Sequence, residues 1–330
     1  MFDYHTIKKE KVACNLCGKE NYHILAGHSS DGLPADTCLC KHCGLIYLNP
    51  RMTKEGYDEY YKYFYREHRA QIKGKGSNVA TYERGFDSAV RFGEAVGRSL
   101  QEYMLSEGAT VDVGSHTGGI LFGLKKIFPA IDMVGIEPSV EAASFANKRG
   151  IKTYNCLFED FPRDKETNVS NILCMQTLNH LLDPKGFMIW AHETLIPGGR
   201  LILSVKNFRD QCRRGGSLAS GIQIDHAYMF TPETVRRMVE SAGFTVLYED
   251  ADEYKTDEEL MKQKKSGLSW HHIRIVGKKN EGNNVLPLVP HPEIVPLLRR
   301  QLSRWNIVFY YLLFYSRRTA WFRKLFAIKK

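Results

Sequence analysis

Residues 109–278 alternate short apolar, β-branched runs with segments of helical periodicity. No other feature limits the fold of this chain as strongly. Thr110–Val113 predicts a first strand, followed by a Gly-rich turn and a helix reaching Phe128. Ile131–Ile136 predicts a second strand and Val140–Lys148 a helix. Ile151–Asn155 and Val169–Met175 predict the next two strands, with a helix over Pro184–Leu195. Pro197-Gly198-Gly199 turns into a fifth strand, Arg200–Val205. Helix Pro232–Ala242 stops at Gly243, in the position of a C-terminal cap. Phe244–Tyr248 and Trp270–Val276 complete seven strands. Such alternation implies an α/β fold whose mainly parallel sheet is covered on both faces.

Asp112-Val113-Gly114-Ser115-His116-Thr117-Gly118-Gly119 lies between the first strand and its helix. Glycine there allows a sharp turn and lets a ligand approach where a Cβ would stand in the way. The helix that follows offers unbonded N–H groups. Glu137, in Gly135-Ile136-Glu137-Pro138, falls at the end of the second strand, 25 residues after Asp112. A carboxylate at that place can accept both hydroxyls of a ribose.

These features, with Leu195-Ile196-Pro197-Gly198-Gly199-Arg200-Leu201 before the fifth strand, resemble the class I S-adenosylmethionine-dependent methyltransferases. The resemblance covers about residues 105–278 and implies a Rossmann-like core. It implies that Asp112 opens the cofactor loop and that Gly114, Ser115 and Gly118 meet the amino acid end of S-adenosylmethionine. Glu137 would hold the ribose, Leu157, Phe158 and Glu159 would flank the adenine, and Gln176 would face the methionine portion. His116 stands where the family has its middle glycine, so the loop is expected to be shifted.

Cys14-Asn15-Leu16-Cys17-Gly18 and Cys40-Lys41-His42-Cys43-Gly44 are two Cys-x-x-Cys-Gly knuckles separated by 22 residues. Cys14, Cys17, Cys40 and Cys43 can complete a closed tetrahedral Zn²⁺ site, hence a structural one. Residues 1–50 therefore read as a zinc-binding module. Residues 51–108 read as a helical cap rich in tyrosine, interrupted at Gly74–Ser77. Residues 109–278 form the core, and 279–330 a linker and tail. A zinc module ending in Cys-Gly-Leu-Ile-Tyr-Leu-Asn-Pro-Arg, a tyrosine-rich helix and a methyltransferase core together resemble bacterial methyltransferases of sugar and surface-polysaccharide pathways. Their C-methyltransferases of nucleotide-linked deoxysugars carry a further C-terminal α/β domain. The length of this chain favours O-methylation of a sugar or glycan, lipid- or nucleotide-linked, with C-methylation as the alternative.

One base suffices for a hydroxyl acceptor, because the sulfonium methyl is already activated and alignment does much of the work. The candidates are His180, in Thr177-Leu178-Asn179-His180 after the fourth strand, and His226, in Asp225-His226-Ala227-Tyr228 before the Pro232 helix. Imidazole suits proton transfer near neutrality.

Composition limits the alternatives. Apolar residues make up 43% and charged residues 25%, ordinary for a globular protein. The net charge is +9, and all of it lies after Glu293, in Arg299, Arg300, Arg304, Arg317, Arg318, Arg323, Lys324, Lys329 and Lys330. Those nine bases flank a dense aromatic run, a pattern suited to an anionic membrane surface. The start of the chain lacks the basic and apolar segments of a secretory signal, so the expected place is the cytoplasm, peripheral to the inner face of the membrane. Acids and bases balance over residues 1–50, which argues against a zinc-ribbon nucleic-acid-binding protein with a non-catalytic core.

Overall fold

The structure is a computed structural model and describes residues 4–65, 68, 82–281 and 293–318. Its first strands are β1 (Lys9–Glu10), β2 (Tyr22–His28), β3 (Pro34–Cys40), β4 (Ile46–Leu48) and β5 (Arg51–Met52). Helix α1 (Lys54–Glu59) runs into a π-helical turn, Tyr60–Phe64, and α2 spans Tyr82–Leu100. Then follow β6 (Ala109–Val113), α3 (Gly119–Ile127), β7 (Asp132–Ile136), α4 (Val140–Lys148) and β8 (Lys152–Tyr154). After β9 (Val169–Met175) come α5 (Pro184–Thr194), β10 (Arg200–Lys206), α6 (Phe208–Gly215) and β11 (Tyr228–Met229). The rest comprises α7 (Pro232–Ser241), β12 (Phe244–Ala251), α8 (Asp257–Ser266), β13 (His272–Lys279), α9 (Ile294–Gln301) and α10 (Arg304–Arg318).

The chain divides into two units. One gathers residues 1–64, 207–234 and 289–330, the other residues 65–206 and 235–288. The second unit holds the seven-stranded sheet, in the order β12-β13-β10-β9-β6-β7-β8. Strands β10, β9, β6, β7 and β8 are parallel, and β13 enters antiparallel between β10 and β12. This is the mainly parallel α/β sheet expected from the alternating pattern, and the Rossmann-like core that the resemblance implies. Strand β9 buries all seven of its residues, as a central parallel strand covered on both faces must. Its neighbours contribute Leu121, Leu124, Ile131, Ile202 and Val276 to one apolar core.

The first unit carries a four-stranded sheet, β11-β4-β3-β2, antiparallel throughout, and the β1–β5 ribbon. Asn207 and Phe230 add a parallel bridge. Helix α10 lies against α6. Arg213 sits over the Tyr310 ring at 3.9 Å and Arg214 over Phe314 at 4.5 Å, while Arg213 Nη2 donates to Asn306 Oδ1 at 3.1 Å. Ile294, Val295, Leu298, Leu302 and Ile307 are buried.

Two helices were not expected, α6 and α8. Strand β12 runs on to Ala251 because β13 pairs with it across a bulge between Val246 and Tyr248. The Gly74–Ser77 break, most of the 279–292 linker and the basic residues from Arg323 onward lie outside the described residues.

Candidate cofactor site and metal centre

The carboxyl ends of β6 and β7 build one corner of the second unit. Gly114 has φ +76°, and a Cβ on it would lie 2.5 Å from the Thr177 side chain. Only glycine fits there. His116 takes φ 49°, so it adopts the left-handed conformation that a glycine would supply. Gly118, at φ 74°, precedes α3, and no side chain caps the helix. Its first-turn N–H groups have no intrahelical partner.

Asp112 is 1% exposed, and neither of its carboxylate oxygens has a hydrogen-bond partner. Burial first, and the charge of Glu137 second, push its pKa well above the usual carboxylate range. The Ser115 hydroxyl is likewise buried and unpartnered. Orphaned polar groups of this kind cost free energy unless a ligand or water satisfies them. They suit a ligand with polar or cationic groups at the end of β6.

Glu137 ends β7. Its Oε2 accepts the His116 amide at 2.9 Å and its Oε1 the Ser139 amide at 2.8 Å. Each oxygen keeps a second lone pair for a hydroxyl donor. Burial raises the Glu137 pKa, opposed by those two amides. Asn155 Nδ2 donates to the carbonyls of Glu137 and Pro138 at 3.0 and 2.9 Å, which fixes the turn.

The residues assigned to the adenine are placed unequally. Leu157 is 37% exposed and Glu159 is exposed. Phe158 is buried, edge-on to Phe187 and Trp190 at 5.6 and 5.5 Å, so its ring packs in the core. Gln176 follows β9 with φ 62°. Its amide donates to the Ser204 carbonyl at 2.6 Å and its Nε2 to Ser269 Oγ at 3.0 Å.

Ser269 belongs to a buried network that the sequence reading missed. Arg274 donates to Asp252 Oδ1 at 2.7 Å and to the Ser269 carbonyl at 2.5 Å. Gln263 Nε2 joins Asp252 Oδ2 to the same carbonyl at 3.1 and 2.7 Å. Burial, with the Arg274 charge behind it, lowers the pKa of nearby His272 to about 3. The available signal was Arg274 itself, a charge set between the apolar Ile273 and Ile275.

Of the two candidate bases, His180 stands in the second unit, half-buried, its amide donating to the Thr177 carbonyl at 2.8 Å. His226 stands in the first unit, 1% exposed, just before β11, beside an Asp225 carbonyl that accepts Tyr61 Oη at 3.3 Å.

The four cysteines of the first unit converge. Cys14, Cys17, Cys40 and Cys43 bring their sulfurs within 4.8 Å of one another, with Cys14–Cys43 at 3.4 Å and Cys17–Cys40 at 3.5 Å. A tetrahedral Zn²⁺ site asks for sulfurs about 3.8 Å apart, so the cluster fits that ion. The two knuckles repeat one backbone pattern. Gly18 N–H donates to Cys14 O at 2.7 Å and Cys14 N–H to Lys19 O at 2.9 Å. Gly44 N–H donates to Cys40 O at 3.1 Å and Cys40 N–H to Leu45 O at 2.9 Å. The Cys40 thiol is pushed down, chiefly by hydrogen bonds from the other three, and Cys43 is pushed up, chiefly by its bond with Cys14. Cys38 is buried in β3 and outside the cluster.

Residues 90–249 match a family described as a methyltransferase domain. No curated protein matches the chain in sequence. Among solved structures, the plantazolicin methyltransferase BpumL in complex with SAH is similar at 16% identity, with 68% of this chain and 94% of that one covered and a TM-score of 0.49. A possible histamine N-methyltransferase from Thermotoga maritima is similar at 23% identity, covering 66% and 100%, with a TM-score of 0.44. An S-adenosylmethionine-dependent methyltransferase from Mesorhizobium loti is similar at 14%, covering 56% and 98%, with a TM-score of 0.43. These neighbours say nothing about the acceptor of this chain. The match to a methyltransferase domain over residues 90–249 falls mostly on the unit that holds the seven-stranded sheet described above.

Proposed function

We propose that this chain transfers the methyl group of S-adenosylmethionine to a hydroxyl of a sugar or glycan carried on a lipid or nucleotide. The observation that carries the cofactor reading is the orphaned Asp112 carboxylate beside the Gly114–Gly118 turn. The sulfonium supplies an activated methyl. In this reading Asp112, Ser115 and the α3 N-terminus hold the amino acid end, Glu137 accepts from the ribose, and Gln176 borders the methionine portion. His180 or His226 accepts the acceptor's proton. The Cys₄ cluster holds Zn²⁺ in a structural role, since four thiolates leave no open position. The sugar acceptor rests on the resemblance carried by the zinc module and the tyrosine-rich segment. C-methylation of a nucleotide-linked deoxysugar is the alternative.

The test uses the full chain, isotope-labelled S-adenosylmethionine, and nucleotide- and lipid-linked sugars, with mass analysis of the product. One labelled methyl on a sugar oxygen is expected. Label on carbon selects the alternative, and label only on amines or peptides refutes the glycan reading.

The tail supports a second proposal, contact with an anionic membrane surface. One face of α10 packs on α6. The other shows Trp305, Phe309 and Leu312 at 85%, 62% and 52% exposure. These residues are spaced to share one helical face, and the basic tail complements anionic lipid. No helix among the described residues is long and apolar enough to cross a membrane.

A further inference from the structure

We infer that a cleft in the first unit is a binding site for a phosphoryl group, best filled by a diphosphate. The cleft encloses about 520 Å³ and is lined by His23 of β2, Lys41 of the second knuckle, and Val295, Pro296, Arg299 and Arg300 of α9. No carboxylate lines it. Among the described residues, the side chains of Lys41, Arg299 and Arg300 have no ion-pair partner. Three cations thus face one concavity uncompensated. Desolvation first, then the charges of Arg299 and Lys41, lower the pKa of His23. The three cations set a positive field in the cleft, and that field favours the neutral form of His23.

Charge and shape select the ligand class. A carboxylate brings one negative charge and would leave two of the three cations unmatched. A diphosphate brings several charges and enough oxygens to take a guanidinium fork and an ammonium at once. Val295 and Pro296 supply an apolar wall, which strengthens the field felt by the anion. The balance of acids and bases within residues 1–50 conceals this site, because two of its three cations arrive from α9.

Two sources offer this chemistry, a soluble diphosphate and a phosphate-bearing lipid headgroup. The experiment titrates the full chain calorimetrically with sodium pyrophosphate at low ionic strength. In parallel, the chain is sedimented with vesicles of phosphatidylcholine containing phosphatidic acid, and with phosphatidylcholine alone. The variants are Arg299→Gln/Arg300→Gln, whose side chains are exposed, and Arg304→Gln, an exposed base outside the cleft. Far-ultraviolet circular dichroism checks that each is folded. The double variant should weaken pyrophosphate or phosphatidic acid binding at least about tenfold, and Arg304→Gln should change it less than about twofold. Response to pyrophosphate alone assigns a soluble source; sedimentation with phosphatidic acid that the double variant loses and Arg304→Gln keeps assigns a lipid source, apart from the contact proposed for α10. Absence of binding by both probes overturns the site. So does equal weakening by Arg304→Gln, which would mean diffuse attraction to the tail.

Discussion

The amide of His116 donates to Oε2 of Glu137 at 2.9 Å. The side chain that departs from the glycine pattern of the loop thus leaves the backbone role of that position intact. His116 turns through φ 49°, and its N–H orients the carboxylate that ends β7. The substitution is tolerated because the main chain, and not the imidazole, makes the contact.

Asp112 stands in a different condition, buried and unpartnered. Its raised pKa means that the folded state holds its proton to higher pH than the unfolded state does. Stability without ligand should therefore fall as pH rises from the ordinary aspartate range towards the raised value. Asp112→Asn should flatten that slope and raise the melting temperature near pH 7, while weakening S-adenosylmethionine binding. Scanning calorimetry over a pH series that starts at the ordinary aspartate range, about pH 4, checks the first part. An unchanged slope would show that Asp112 is satisfied in solution.

The cysteine cluster predicts one Zn²⁺ per chain in elemental analysis of protein prepared without chelator. Cys40→Ser should lose the metal and loosen the first unit. Cofactor affinity should persist, since Asp112, Glu137 and Gln176 belong to the other unit. Zinc-free protein with an intact first unit would contradict the assignment.

The glycines of the two knuckles separate metal geometry from helix packing. Gly18 and Gly44 share left-handed φ values of 71° and 76°. A Cβ on Gly18 meets open space, whereas one on Gly44 would lie 2.9 Å from Leu298 and 3.2 Å from Ile294. Both alanine variants should lose about 1 kcal/mol for the backbone. Gly44→Ala should lose a further ~1–3 kcal/mol by crowding α9. Chemical denaturation compares the two, and equal losses would deny the seating of α9 on the second knuckle.

The exposed stripe on α10 makes the membrane proposal testable without truncation. Deleting the tail would also remove Leu298, Leu302 and Ile307 from the interior. Trp305→Ser/Phe309→Ser should instead leave the melting temperature within about 2 °C and abolish sedimentation with anionic liposomes at low salt. Retained sedimentation would assign the attraction to charge alone.

The sheet could be read from the sequence because its strands are continuous apolar runs bounded by turn residues. Val169–Met175 was located to the residue for that reason. Helix α8 was missed because its surface is polar, although Thr256 and Glu259 form a capping box and Gly267 closes the helix. Helix α6 was missed for a non-local reason. It buries Arg209 and Arg213, whose partners Glu233 and Asn306 lie far along the chain. The glycine turn after β6 and the knuckles are local motifs and were readable as such. The cleft joining Lys41 to Arg299 was not, because no local pattern brings α9 to the second knuckle.

The central claim is that S-adenosylmethionine is held at the ends of β6 and β7, with Glu137 on its ribose. The most direct measurement is calorimetric titration of the full chain with S-adenosylmethionine and its demethylated product, beside Glu137→Ala. The account predicts micromolar binding of both ligands, weakened at least about tenfold in the variant through the loss of a charged hydrogen-bond acceptor. No heat from either ligand, or equal affinity in the folded variant, would contradict it.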